Sequence, residues 1–391
     1  MIKVKTACFA ILLSLVSFLV KADERTDVVV LGNNASSIAA SIQSARSGVK
    51  TIWINPSASL DEDILKADTA GAAGSGIWPE FVNILKAKPG QNINDVVKGF
   101  VDTVKNLTII NNAPVRKIER AGKGWEVKLV NGREIKCQVI VDGGKNTTFV
   151  EKAPADITES VAPSTIAGTL YSSRLYRTAV ATGNNPADVL PLGSMISKTE
   201  NYIFARTRPT VAGSMNAGQA AGASAAYCAY FKRTTRTLEV RMTQGELLRY
   251  NAALLPVSDI SSNDSAFIPI QHILATGILK VDNGNFNPEG TLSSEELRLP
   301  LKDFYSRSQL WFFNNKRDSL TIEDAINLIM FTATRGEELR REISGGWKSS
   351  LKMATNYDPK RKITRKEFAV LLDRYLQPFI VRVDFYGNLL S

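Results

Sequence analysis

The chain has 391 residues, 44% of them hydrophobic and 22% charged, which excludes a disordered or fibrous protein and leaves room for two or three domains. Its formal charge of +10 is scattered, as in Lys232–Arg236 and residues 359–366, and is not interleaved with aromatics. That distribution argues against a nucleic-acid surface and fits a basic exterior facing an acidic envelope polymer. Two lysines, an apolar run and Val20-Lys21-Ala22 open the chain. They predict a secretory signal peptide over residues 1–22, hence a secreted or periplasmic protein with no stable membrane span after cleavage. An uncleaved anchor is the alternative, although the apolar run is barely long enough to span. A lipoprotein signal would need its cysteine at the end of that run, whereas Cys8 stands near its start. Removing Lys3, Lys5 and Lys21 takes the formal charge from +10 to +7. Only Cys137 and Cys228 then remain, without a CxxC spacing, so a dithiol mechanism is not expected.

Residues 27–55 read as strand, turn, helix and strand. "DVVVLG" ends in Gly32, and "ASSIAASIQSARSG" places Ile38, Ala39, Ile42 and Ala45 on one helical face, with Gly48 as a stop. "VKTIWIN" is the second strand and ends in Asn55. A crossover of this length aims the unpaired amides of a helix N-terminus at a pyrophosphate. From Ala113 to Gly144, alternating apolar residues (Val115, Ile118, Trp125, Val127, Leu129) surround the turn Asn131-Gly132 and predict a meander. An apolar strand closing in Asp142-Gly143-Gly144 follows. "GQAAGASAAYCAYF", from Gly218, reads as a small-residue helix. It either lets a ring lie against its start or packs closely on its neighbours.

Taken together, Gly32-Asn33-Asn34-Ala35-Ser36-Ser37, Val141-Asp142-Gly143-Gly144 and Gly218-Gln219-Ala220-Ala221-Gly222 resemble three motifs of one family. These are secreted bacterial FAD-dependent oxidoreductases of the xanthan lyase-like kind. The resemblance covers roughly the first half of the mature chain. It implies an α/β fold: an FAD/NAD(P)-binding Rossmann-like domain with a β-meander over residues 23–235. It also implies FAD as cofactor, held by Gly32, Asn33, Asn34, Ala35, Ser36, Ser37, Asn55, Val115, Gly143, Gly144, Gly218, Gln219, Ala220 and Ala221. In the family the last helix begins at G-Q-A-A-G. Two departures weaken the site. Ser37 replaces a helix-approach glycine, and Asn55 replaces the acid that accepts the ribose hydroxyls, so Asn55→Glu is expected to tighten FAD about tenfold. FAD is therefore expected to be held weakly or lost. No histidine lies in this half, and no catalytic constellation is recognisable; Tyr171, Arg174 and Tyr176 either face a flavin-side pocket or are ordinary structural residues.

Residues 236–391 have a different character. A helix carrying Ile268, Ile270, Ile273 and Leu274 stops at Gly277, "F-N-P" follows at Phe286, and three helix starts pair a hydroxyl with an acid three residues on. These pairs are Ser293 with Glu296, Thr321 with Asp324, and Thr364 with Glu367. The order resembles divergent S-layer homology units, which implies a small all-α domain in which Arg365 would help hold anionic wall polymer. Ile268, Ile273, Leu328, Ile329, Phe368 and Leu371 are expected to share one core, and a fragment from about Val240 to fold alone. His272 reads as structural rather than as a metal ligand.

Two functions follow. One is a secreted FAD-dependent oxidoreductase passing hydride from a small or carbohydrate-related substrate to flavin. The other is a non-catalytic envelope or carbohydrate-associated protein that retains a degenerate flavoprotein fold.

Overall fold

The computed structural model describes residues 24–64, 74–144, 149–154, 157 and 159–390; the expected signal peptide lies outside them. Four consecutive buried residues form each central strand, as expected where both faces of a parallel sheet are covered. These strands are β2 (Val28–Leu31), β3 (Thr51–Ile54) and β8 (Val139–Asp142), with β4 (Leu107–Ile110) and β11 (Tyr202–Phe204) outside them in the order β11-β8-β2-β3-β4. All neighbours in this sheet are parallel.

Alternation along β2 divides its side chains between two cores. Val28 and Val30 join the helices α1 (Ala35–Arg46) and α4 (Val211–Tyr230), while Val29 and Leu31 meet the meander on the other side. The meander runs through β5 (Val115–Ala121), β6 (Gly124–Leu129) and β7 (Glu134–Cys137), with β1 (Glu24–Arg25) at its far edge. In the chain, α2 (Ile77–Ala87) and α3 (Ile93–Val101) lie between β3 and β4, and β9 (Ala179–Ala181) pairs with β10 (Val189–Pro191) as a separate ribbon. Its Asn131-Gly132 turn forms as the sequence predicts: Gly132 has φ +84°, and the Asn131 carboxamide accepts from the Arg133 amide. The result is an FAD/NAD(P)-binding Rossmann-like α/β domain carrying a β-meander, followed by a helical region.

α4 begins at Val211, capped by the Thr210 hydroxyl, and not at Gly218. Gly218 and Gly222 lie mid-helix, where a Cβ would strike the backbone of Ser36 and Ala40. Absence of side chains there lets α1 and α4 lie backbone to backbone. Cys137 and Cys228 are both buried free thiols, and burial pushes the Cys228 thiol up to about 12.

The helical region contains α5 (Val240–Arg249), α6 (Phe267–Thr276), α7 (Ser294–Phe304), α8 (Ser308–Asn314), α9 (Ile322–Ala333), α10 (Glu337–Gly346) and α11 (Arg365–Tyr375). The three expected caps form. Ser293 accepts from the Glu296 amide, and the Thr321–Asp324 and Thr364–Glu367 pairs are complete capping boxes. Ile273, Leu328, Ile329, Phe368 and Leu371 share a core. Ile268 does not. It is 40% exposed, because a residue two positions before Ile270 points to the opposite side of the helix.

Hydrophobic contact does not divide at residue 235. Val240, Leu247 and Leu248 of α5 pack in the same core as α1 and α4, and Phe379 and Val383 return to that core from the C-terminal end. Conversely, Leu170, Tyr176 and Val189 belong to the core of the helical region. Tyr171 and Tyr176 stack edge to face at 4.9 Å, and the Tyr176 hydroxyl donates to the Thr276 carbonyl, so these tyrosines join the two regions instead of facing a flavin-side pocket. Arg174 is tied to the C-terminal segment through Asn388.

Candidate functional site

In open parallel sheets, ligands sit outside the carboxyl ends of the strands, where the strand order reverses. Here the chain steps outward from β2 through β3 to β4, then returns to the other side of β2 with β8 and β11. The switch point therefore lies between Gly32, after β2, and Gly143, after β8. The structure brings together there Gly32, Asn34, Ala35, Ser36, Ser37, Gly143 and, from α4, Gly218. The Gly143 amide donates to the Leu31 carbonyl at 2.8 Å, and a Cβ on either Gly32 or Gly143 would collide with the Ser37 hydroxyl.

Asn34 dominates this crevice. Its Oδ1 accepts from the Ser37 amide at 3.1 Å and from the Ser36 hydroxyl at 2.7 Å, while its Nδ2 donates to the Gly143 carbonyl at 2.5 Å. The Ser36 hydroxyl also reaches the Ala205 carbonyl at 3.0 Å, and the Ser37 hydroxyl the Leu31 carbonyl at 3.2 Å. Asn33 is strapped from above: its carbonyl accepts from the Asp61 amide and its Nδ2 donates to Ser59. The amides of Ala35 and Ser36, at the first turn of α1, have no hydrogen-bond partner among the described residues.

The remaining predicted positions are engaged in local structure. Asn55 is 1% exposed and is spent locally, accepting from the Ser57 amide at 2.9 Å and donating to Asn111 at 3.3 Å. Val115 is buried in the meander core. Gln219 accepts from the Ile77 amide at 3.0 Å and donates to Gln43 at 2.9 Å. It thereby caps the helix Ile77–Ala87. Ala220 and Ala221 are fully buried within α4. Gly144 donates to Asp142 at 2.8 Å and lies under the Phe149 ring.

Beside the crevice is an ionisable group whose partners the sequence did not suggest. Burial pushes the Asp142 carboxyl up, against hydrogen bonds from the Tyr202 hydroxyl at 2.6 Å and the Gly144 amide and the charge of Arg206. Burial, and then the Asp142 charge, push the Tyr202 hydroxyl well up in turn. Arg206 stacks on the Phe204 ring at 4.4 Å and donates to Ser160 and the Ser194 carbonyl. The short apolar run "NYIF" could have flagged Tyr202 as inward-facing; nothing local flags Arg206.

No family model matches the chain, and no curated relative does. Among solved structures it is similar in part to T. acidophilum thioredoxin reductase, at 18% identity and TM-score 0.21, over 31% of this chain and 36% of that one. Aquifex aeolicus GidA gives 20% identity and TM-score 0.23, over 32% of this chain and 25% of that one. A p-nitrophenol 4-monooxygenase, PnpA from Pseudomonas putida DLL-E4, gives 11% identity and TM-score 0.25, over 36% and 46%. The chain spans less than half the length of each of these.

FAD is the cofactor that the resemblance of the motifs at residues 32–37, 141–144 and 218–222 implies. As arranged, the residues at the switch point do not form its cradle. The Asn34 carboxamide occupies the helix N-terminus, Ser37 fills the space a glycine would leave, and the Asn55 carboxamide is already engaged by Ser57 and Asn111.

Proposed function

We propose that the chain is a non-catalytic, envelope- or carbohydrate-associated protein that keeps a degenerate flavoprotein fold and binds FAD weakly and substoichiometrically. The observation that carries this reading is the Asn34 carboxamide, which caps α1 and reaches Gly143 where a pyrophosphate would otherwise sit. Export to the envelope rests on the lysines and apolar run that open the chain. An acidic envelope polymer is served by the dispersed positive charge and not by Arg365. That guanidinium is committed to the carbonyls of Phe286 and Lys280 and to Glu296.

A second reading, an FAD-dependent oxidoreductase acting on a small or carbohydrate-related substrate, draws support from the amides of Ala35 and Ser36. They lack partners and would meet phosphate oxygens once Asn34 moved aside. FAD, when bound, would supply hydride acceptance, while the chain's part would be binding and orientation. Titration of the purified protein with FAD, followed by flavin absorbance and thermal shift, separates the two. The first reading expects little stabilisation and a substoichiometric flavin spectrum. Tight binding of one FAD per chain would overturn it.

A further inference from the structure

Residues 294–317 form a helical hairpin, α7 followed by α8. Its inward side chains, Leu297, Leu301, Trp311 and Phe312, are buried in the helical core. Its outward ones are not covered: Leu299 is 60% exposed, Leu310 64% and Phe313 81%. The Gln309 carboxamide donates to the Arg298 carbonyl at 2.7 Å, so the outer side of α8 lies beside the turn of α7 that carries Leu299. One exposed leucine is ordinary, but three large apolar side chains on adjoining turns are not.

Cations accompany them. Lys302 and Arg307 stand three residues from Leu299 and Leu310, one turn round the same side, and Lys316 follows Phe313 just past the end of α8. These three cations are exposed and none pairs with an acid among the described residues, while the Arg307 guanidinium also lies 4.8 Å from the centre of the Phe331 ring. Neighbouring acids are already engaged, Glu295 by Arg298, Glu296 by Arg365 and Asp303 by Arg177, which leaves Asp318. The hairpin thus offers an apolar centre with a positive rim.

We propose that this hairpin docks the protein on an anionic lipid surface. Leu299, Leu310 and Phe313 enter the boundary between headgroups and acyl chains, and Lys302, Arg307 and Lys316 meet the lipid phosphates. A bilayer accepts protruding side chains without a matching pocket, and its anionic headgroups complement the rim. Docking through this hairpin does not depend on whether FAD binds.

The test is co-sedimentation of the full chain with vesicles of phosphatidylcholine plus phosphatidylglycerol, against phosphatidylcholine alone. The apolar run near the N-terminus is present in every arm, so the comparison is between variants. The binding that depends on phosphatidylglycerol should fall about tenfold in Leu310→Gln/Phe313→Gln. Lys302→Gln/Lys316→Gln should weaken it and flatten its salt dependence. A Phe313→Trp variant should gain fluorescence quenching by brominated lipid. Binding indifferent to phosphatidylglycerol, or equal binding by both double variants, would overturn the proposal. So would self-association that Phe313→Gln abolishes without any lipid binding, since the hairpin would then be a contact between copies of the chain.

Discussion

The guanidinium of Arg241 lies 4.6 Å from the centre of the Phe379 ring, although 137 residues of chain separate them. Arg241 is 6% exposed and has no carboxylate partner among the described residues; it donates instead to the carbonyls of Arg177, Ala275 and Val381 and to Gln244. Burial, and then the Arg177 charge, pull it down from the ordinary arginine value. One side chain therefore joins α5, α6, the Rossmann-like region and the C-terminal segment.

The two regions should consequently unfold together. Chemical denaturation is expected to give one cooperative transition, and Arg241→Leu should lower stability by about 2–4 kcal/mol by leaving buried carbonyls without donors. A fragment starting near Val240 should fail to fold alone, because α5 packs against α1 and α4 and not against the helical core. Two separate transitions, or a folded fragment, would contradict this coupling.

Asn34 makes the second prediction. Replacing it together with Ser37 by glycine removes the carboxamide and hydroxyl from the first turn of α1. Loss of the cap to glycine should itself cost only a few tenths of a kcal/mol, and loss of the donor to the buried Gly143 carbonyl about 1–3 kcal/mol more. FAD affinity should rise about tenfold or more, measured by flavin fluorescence. Asn34→Asp keeps an acceptor for the Ser37 amide but sets a carboxylate oxygen against the Gly143 carbonyl, so it should lower stability by about 1–3 kcal/mol and lower FAD affinity further by placing negative charge beside the phosphates. Unchanged affinity in the glycine pair would mean that the obstacle lies elsewhere.

Asn55→Glu reverses its sequence-level expectation. At 1% exposure, with its carboxamide bonded to Ser57 and Asn111, this strand end has no room for a solvated carboxylate. The variant should lose about 2–4 kcal/mol and gain no FAD affinity. Wild-type stability in urea together with tighter FAD would restore the ribose assignment.

What the sequence disclosed was local. Four-residue apolar runs, the alternation of Val115 to Leu129, the Asn131-Gly132 turn and three hydroxyl–acid pairs each act within a few residues, and all formed. What it concealed depends on distant partners. Gly218 and Gly222 can be read equally as a seat for a ring or as contact with another helix, until Ser36 and Ala40 are seen against them. Asn55 reads as a ribose ligand until Asn111 is known to face it. Similarly, composition shifts near residue 236, but the core does not, because α5 finds its partners in the first region.

The last prediction concerns acid. Glu367 closes the capping box of α11 and accepts from Arg361 at 2.7 Å, from the Thr355 hydroxyl at 2.6 Å and from the Thr364 amide at 3.0 Å. Burial acts to raise its carboxyl, but these bonds and the Arg361 charge outweigh it and hold the group below the usual glutamate value. A carboxylate with a depressed folded value contributes fully above its unfolded value of about 4.3, and that contribution is lost as pH falls through the folded value. Glu367→Gln should therefore cost about 2 kcal/mol at neutral pH, from the lost charge-assisted bonds. The gap between variant and wild type, measured by urea unfolding, should narrow steadily once the pH drops below the ordinary glutamate range. A gap that stays constant into strong acid would show that the ionised carboxylate is not what secures this helix start.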